Sequence, residues 1–300
     1  MTTHVAPRTE RHRAGSIPRH WIYLLSRLVI CGLLVAALGP LFWRPPNAFL
    51  YVLDVLFRTW VTFLGTVLAH EGTHGHLGHT KAQNFWWGRL ALIPTMVPFT
   101  NFVKTHNLHH AHTNEPDTDP DHFMKPRFGS WELPFRALAM PHQWLFWLAK
   151  RGRIRTGDLI DLALNYVGIL TVFGIILAFV GPARLISGVA PVLVLVSLLL
   201  WYPFAFKTHE GFSTGSAESR SHSYYGSFMY WFSFGLSMHR EHHMEPWLAW
   251  IELHPFIQPA PAGSWRRFLP WRDIRPDAEA PRGRAPETHP AGAGAAPPAR

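Results

Sequence analysis

Four long apolar runs, joined in pairs by very short turns, constrain this chain more than anything else in its sequence. They cover about Trp21–Trp43, Asn47–Ala69, Leu159–Val180 and Ala183–Phe206. Each is long enough to cross a hydrocarbon core roughly 30 Å thick. Inside a bilayer the backbone must satisfy its own hydrogen bonds, which runs of this length do as helices. Arg44-Pro45-Pro46 joins the first pair and Gly181-Pro182 the second, and both stretches favour tight turns. The expected fold is an all-α integral membrane protein with four transmembrane helices in two hairpins. Composition agrees: 48% of the 300 residues are hydrophobic and only 16% charged, with 14 Trp and 21 Phe.

Orientation follows from where the cations lie. The N-terminal segment (1–20), the loop from His70 to Asp158 and the C-terminal region hold nearly all the Lys and Arg, with Lys150, Arg151, Arg153 and Arg155 crowded just before the third span. The far side has only Arg44 and Arg184 near its turns. Positive residues stay cytosolic, so both termini and the long loop are expected there, in a bacterial inner membrane. The net charge of +9 suits an anionic lipid surface, and no nucleic-acid-binding motif accompanies it. The first apolar run has no small-residue cleavage site, so it reads as an anchor and not a removed signal.

Within the long loop, Phe85–Val103 and Trp131–Leu148 are apolar but carry Pro94, Pro98, Pro134 and Pro141. These stretches are expected to be interfacial helices beneath a cytosolic cap. The chain divides into a cytosolic tail (1–20), a membrane catalytic domain (21–258) and a Pro-, Ala-, Gly- and Arg-rich tail (259–300) expected to be largely disordered.

The single cysteine, Cys31, excludes an internal disulfide and cysteine-based clusters, whereas histidine is abundant at 20. The histidines gather in three boxes: His70-x-x-x-His74, His106-x-x-His109-His110 and His239-x-x-His242-His243. On a helix, positions i, i+3 and i+4 share a face, so each box can aim its imidazoles at one point. All three fall on the same predicted side. Eight box imidazoles exceed the four ligands of a tetrahedral zinc and suit two metals with open positions. An all-nitrogen donor set with an open site favours iron handling oxygen. A competing reading is a membrane zinc protease, because His70-Glu71-Gly72-Thr73-His74 matches H-E-x-x-H with Glu71 as general base. That reading leaves the second and third boxes unexplained. A metal-binding or sensory membrane protein without activity is the third class.

HEGTH, HNLHHAHTNEPDTDPD and HREHHMEP together resemble the membrane fatty-acid desaturase superfamily, which includes acyl-lipid desaturases, fatty-acid hydroxylases, and carotenoid hydroxylases and ketolases. The resemblance runs from about His70 to Pro246. It implies a non-haem di-iron centre on the cytosolic face, O2 as co-substrate, a membrane lipid substrate (fatty acyl chain or carotenoid) and a separate electron donor of ferredoxin or cytochrome b5 type. The reaction expected first is fatty acyl desaturation, with hydroxylation or ketolation as the alternative. The family often adds one ligand between span four and box three. His209 is the first candidate and His222 the second. The H-x-T-N…D-P-D continuation brings in Asp117, Asp119 and Asp121, which with Glu71 and Glu241 are carboxylates able to accept the outer ring N–H of a ligand histidine. His76, His79, His112, His122 and His254 are weaker candidates. Phe99, Phe102, Trp231, Phe232 and Phe234 are expected to line the lipid slot.

Overall fold

A computed structural model describes residues 17–257, apart from 213 and 215–218. Most of the N-terminal tail and all of the 259–300 tail therefore lie outside the described residues. No β-strand occurs among those described. The helices are α1 (Arg19–Leu38), α2 (Ala48–Thr73), α3 (Lys81–Leu92), α4 (Phe99–His112), α5 (Leu133–Lys150), α6 (Thr156–Val180), α7 (Pro182–Leu195), α8 (Ser227–Phe232) and α9 (His239–Met244).

Four stretches are long and apolar enough to cross a membrane: Arg19–Phe42, Ala48–Thr73, Thr156–Val180 and Pro182–His209. At about 1.5 Å per residue, even the 24-residue first span exceeds the hydrocarbon thickness. The chain is a multi-pass integral membrane protein. α2 is the central helix: 67% of its apolar window is buried, against 22% for each of the other spans. Those three turn Leu28, Val35, Leu164, Phe179 and Ile186 outward, as lipid contact requires.

Local chemistry sets the ends of the spans. The Asn47 side chain caps α2 by accepting the Leu50 N–H at 2.9 Å. Gly181 turns at φ 78°, a left-handed value that suits glycine, and Pro182 then opens α7 where its missing N–H costs nothing. α2 outlasts the expected end at Ala69 by a full turn, which places His70 on the same continuous helix and His74 at its cap. The fourth span departs further from expectation. After α7 it becomes π-helical over Val196–Phe206, around Pro203, and closes in a 3-10 turn at Lys207–His209. A proline inside a helix withdraws one donor and shifts the local register.

The expected interfacial segments are helical. Pro94 sits in the turn that ends α3, and Pro98 precedes α4. Pro134 lies in the first turn of α5, and Pro141 is carried inside that helix without ending it. The Pro141 carbonyl accepts from Asn101 Nδ2 at 3.0 Å, tying α5 to α4. Phe99 seats α4 on α3 at Gly88, where a Cβ would lie 2.4 Å from the Phe99 ring. Leu68, Phe99, Phe102, Trp144, Phe206 and Trp250 belong to one apolar core that surrounds the histidine-bearing ends of α2, α4 and span four.

At the other end of α2 lies a buried charge cluster. Arg58 donates to the carbonyls of Ala37 (2.8 Å) and Gly188 (2.7 Å), with Asp54 at 3.8 Å. Arg184 stands 3.6 Å from Asp54 and donates to the carbonyls of Pro40 and Trp43, both at 2.7 Å. Intramembrane charges persist only when paired in this way.

Candidate metal centre

Three helices and one span end deliver the imidazoles. α2 ends in His70 and His74, α4 carries His106, His109 and His110, and α9 carries His239, His242 and His243. The turn closing span four presents His209. These nine residues fall into two groups: His70, His74, His106, His110 and His242 in one, His109, His209, His239 and His243 in the other. Within each group the ligand-capable atoms lie within 4.8 Å of one another, so each could hold a metal ion. Helical spacing explains the partition. The i, i+4 pairs 106/110 and 239/243 each aim at one group, while the i+3 members, His109 and His242, cross to the other. α4 and α9 thus contribute to both.

The nitrogens face one another. His74 Nε2 and His106 Nε2 are 2.9 Å apart, and His110 Nε2 and His242 Nε2 are 3.0 Å apart. His209 Nε2 lies 3.2 Å from His109 Nε2 and 2.7 Å from His239 Nε2, which is 3.2 Å from His243 Nε2. Burial and then the neighbouring imidazoles hold His74, His106, His110, His239, His242 and His243 well below the usual histidine range, so their lone pairs are available. Neutral rings cannot all satisfy one another by hydrogen bonding, since each offers one donor. Both ring nitrogens of His70 and Nδ1 of His239 are buried without a hydrogen-bond partner. Converging neutral nitrogen lone pairs with orphaned members are what a borderline transition-metal ion satisfies.

Outer contacts fix the rings. His109 Nδ1 donates to Asp119 Oδ1 at 3.0 Å, since a carboxylate only accepts, and its Nε2 is left facing the second group. Burial alone would push the His109 pKa down, but Asp119 and Asp121 outweigh it and raise it to about 9. Asp119 is held in turn by the backbone N–H groups of Asn114 and Asp121, each at 2.8 Å. Asp121 accepts from Trp144 Nε1 at 2.8 Å; burial raises its pKa to about 6 against the pull of His109. His209 Nδ1 donates to the Arg220 carbonyl at 3.0 Å, which also accepts from Asn114 Nδ2 at 2.9 Å. The left-handed Asn114 (φ 69°) thereby ties the end of box two to span four.

Not every candidate joins the two groups. Glu71 is buried beside the first group, with Oε1 3.7 Å from His70 Nδ1, while its Oε2 accepts from His76 Nδ1 at 2.8 Å and from the Trp250 N–H at 2.9 Å. His76 continues to the Trp247 carbonyl at 3.1 Å. Glu241 is buried and accepts from Tyr225 Oη at 2.7 Å and from the Ser223 hydroxyl. Asp117 is exposed, and only its carbonyl is engaged, by Arg151. His222 is buried against Phe212 and Tyr224, outside both groups. His79 packs edge-on against Tyr23, His112 pairs with Glu115, and His254 packs on Tyr230. Sequence reasoning undervalued His76. The left-handed Gly75, which lets the chain double back, was the available signal.

Two cavities flank the centre. An apolar one of about 440 Å³ runs past Thr66, Phe102, Trp144, Ile169, Val196 and Trp201. Phe102 separates it from the first group, its ring 5.9 Å from His106 and nearly parallel to it. A second cavity of about 320 Å³, the polar cavity for the charged side chains among its partly apolar walls, reaches the second group at His109 and His209, past Asp119, Asp121, His122 and Lys125. Of the five aromatics expected to line one slot, Phe102 lines the apolar cavity. Trp231, Phe232 and Phe234 line a separate groove with Trp60, and Phe99 is core.

Comparison with known proteins gives these features a family. The chain is 34% identical over 80 residues to the sn-1 acyl-lipid omega-3 desaturase (ferredoxin) of Synechocystis sp., a stretch covering 27% of this chain and 19% of that protein. It is 33% identical over 93 residues to the omega-3 fatty acid desaturase fat-1 of Caenorhabditis elegans, covering 29% of this chain and 23% of that protein. These matches span about a fifth of each relative's length. The family described as fatty acid desaturase matches much more, residues 48–260, which takes in all three boxes and three of the four spans. The chain belongs to the fatty acid desaturase family.

Proposed function

We propose that this chain is a membrane-bound di-iron oxidoreductase that uses O2 and electrons from an external carrier to desaturate a fatty acyl chain of a membrane lipid. The observation that carries the reading is the pair of adjacent imidazole groups, five and four histidines, set against an apolar cavity. The donor set is all nitrogen with orphaned members, which suits iron with open positions. Two iron ions bound there supply the oxidising power to break an unactivated C–H bond, which side chains alone cannot.

The residues of the chain do the rest. Asp119 and the Arg220 carbonyl hold the outer N–H of His109 and His209, which keeps their inner nitrogens on the centre. The apolar cavity takes an extended acyl segment from the bilayer and keeps it dry. Phe102 is the wall against which the reacting methylene rests, one ring away from His106. The matched desaturases are named for acyl-lipid and fatty-acid desaturation, and one name specifies ferredoxin, which supports that class of carrier here. The cation distribution supports a cytoplasmic placement of the boxes in a bacterial inner membrane. The zinc-protease reading loses support because Glu71 Oε2 is held by His76 and the Trp250 amide, and because one zinc would leave most of the nine grouped histidines unused.

Metal analysis and lipid mass spectrometry test the proposal together. Purified protein should hold about two irons per chain, and a host expressing it should accumulate lipid lighter by two hydrogens. One tightly bound zinc and no iron overturns the di-iron reading. A product heavier by one oxygen overturns desaturation in favour of hydroxylation or ketolation. Reporters at Pro46 and Pro182 should lie outside the cytoplasm, and a cytoplasmic signal at either reverses the orientation.

A further inference from the structure

One side chain of the apolar cavity's wall is hydrogen-bonded to a residue that lines the polar cavity. Trp144 is buried, and its ring lines the apolar cavity 5.5 Å from the ring of Phe102, the residue that covers His106. Its indole N–H points the other way and donates to Asp121 Oδ1 at 2.8 Å. Asp121 lines the polar cavity, and its second oxygen stands 3.6 Å from His109 Nδ1. The same Nδ1 donates to Asp119, whose Oδ1 accepts the Asp121 backbone N–H. One indole therefore contacts the aromatic lid of the first histidine group on one edge and the carboxylate pair behind the second group on the other.

Tryptophan is a demanding choice for a mere wall, since its N–H must find a partner when buried. Here the partner is a carboxylate that packs beside a histidine of the centre. A phenylalanine would line the cavity equally well and leave Asp121 without its indole donor. Lipid filling the cavity would bear directly on the indole ring, which packs against Phe102. A displacement of the indole would reach Asp121 through one hydrogen bond, and Asp121 Oδ2 stands 3.6 Å from His109 Nδ1.

We propose that Trp144 is a positioning residue that couples occupancy of the lipid cavity to the second histidine group through Asp121 and His109. The proposal rests on the two groups being the metal centre. Such coupling is reciprocal: lipid tightens metal binding at the second group by the factor by which metal tightens lipid binding.

The test is a Co²⁺ titration of the full-length protein in detergent micelles, followed by the visible spectrum, with and without palmitoyl-oleoyl phosphatidylglycerol. Lipid retained per chain is counted by mass spectrometry. In the unaltered protein, lipid should tighten one Co²⁺ site, the one weakened by Asp119→Asn, by at least about 5-fold, the lower end of typical coupling. Trp144→Phe, compared at equal lipid occupancy counted by mass spectrometry, should reduce that factor to about one. Asp121→Asn, which leaves the cavity wall intact, should do the same, and the double variant should lose no more than either single one. A structural role for Trp144 would lower metal affinity equally with and without lipid. Asp121→Asn protein that still answers lipid overturns the coupling, whether or not Trp144→Phe folds. Unaltered protein that loads Co²⁺ but is silent to lipid also overturns it. Failure of the unaltered protein to bind metal at all would instead remove the metal-centre reading beneath it.

Discussion

Replacing Asp119 by asparagine exchanges one oxygen beside His109 for an amide nitrogen and changes little else in volume. In the native arrangement Oδ1 accepts from His109 Nδ1 at 3.0 Å and from the Asp121 N–H at 2.8 Å, while Oδ2 accepts the Asn114 N–H at 2.8 Å. Asparagine has one oxygen for three donors. If that oxygen stays with His109, the Asn114 N–H faces an NH2 group and goes unpaired, at a cost of about 1–3 kcal/mol. The bond to His109 also falls from a charge-assisted value of about 1.5–3 kcal/mol to an ordinary one of about 0.5–1.5 kcal/mol. Loss of such an outer partner typically weakens metal binding 10–100-fold, or about 1.4–2.7 kcal/mol. Only the second histidine group touches Asp119, so the loss should be one-sided. Stepwise chelation of purified protein, with metal counted at each step, should release one metal from Asp119→Asn at 10–100-fold lower chelator than wild type. The other should stay. Retention of both metals at wild-type affinity, or their simultaneous loss from folded protein, refutes the division into two groups with separate support.

Glu71→Ala removes the acceptor for His76 and for the Trp250 amide, so it should lower stability by about 2–4 kcal/mol and expose the chain after Met244 to protease; unchanged melting and cleavage would show that this carboxylate does not anchor the cap. Gly88→Val drives a side chain into the Phe99 ring and should cost about 1–3 kcal/mol, partly restored by Phe99→Leu; a double variant no better than the single one counts against that contact. In metal-free protein, burial and mutual repulsion keep His74, His106, His110, His239, His242 and His243 below their ordinary 6.5. Below that value the unfolded chain binds more protons than the folded one, so stability should fall as pH drops through 6.5, by up to about 1.4 kcal/mol per unit for each histidine. A melting temperature that is flat or rises from about pH 7.5 to 5.5 contradicts this.

Much of the architecture could be read from hydropathy and spacing, and the reasons for the rest are local. The spans are legible because lipid demands long apolar runs, and the boxes because i, i+3 and i+4 imidazoles share a helix face. Spacing cannot say that His109 leaves His106 and His110 for a different group, because that depends on how α4 is rotated against α9. His209 was visible as a candidate just past span four, yet its final position rests on a π-helical stretch around Pro203 that apolar periodicity does not reveal. Glu71 stands beside His70, as a carboxylate backing a box histidine would, and also holds His76. The H-E-x-x-H spacing suggested a base at the metal, whereas the turn at Gly75 folds His76 back onto that carboxylate. The aromatic residues were the least legible, since the same ring chemistry serves core, groove and cavity wall. Asp54 and Arg58, an i, i+4 pair of opposite charge inside an apolar run, were a plain signal that hydropathy averaging hides.

That pair bears on how the protein is made. A charged side chain near the middle of a lone helix costs about 2.5–3.5 kcal/mol on insertion scales, and the second span carries two. One acceptor for Arg58, the Ala37 carbonyl, belongs to a helix synthesised earlier; the other, the Gly188 carbonyl, emerges from the ribosome 130 residues later. Arg184, which completes the pairing with Asp54, comes late as well. Until the last two spans are in place, Arg58 has only the Ala37 carbonyl and Asp54 of these partners. The knot of charge remote from the histidines therefore closes only once all four spans have come together.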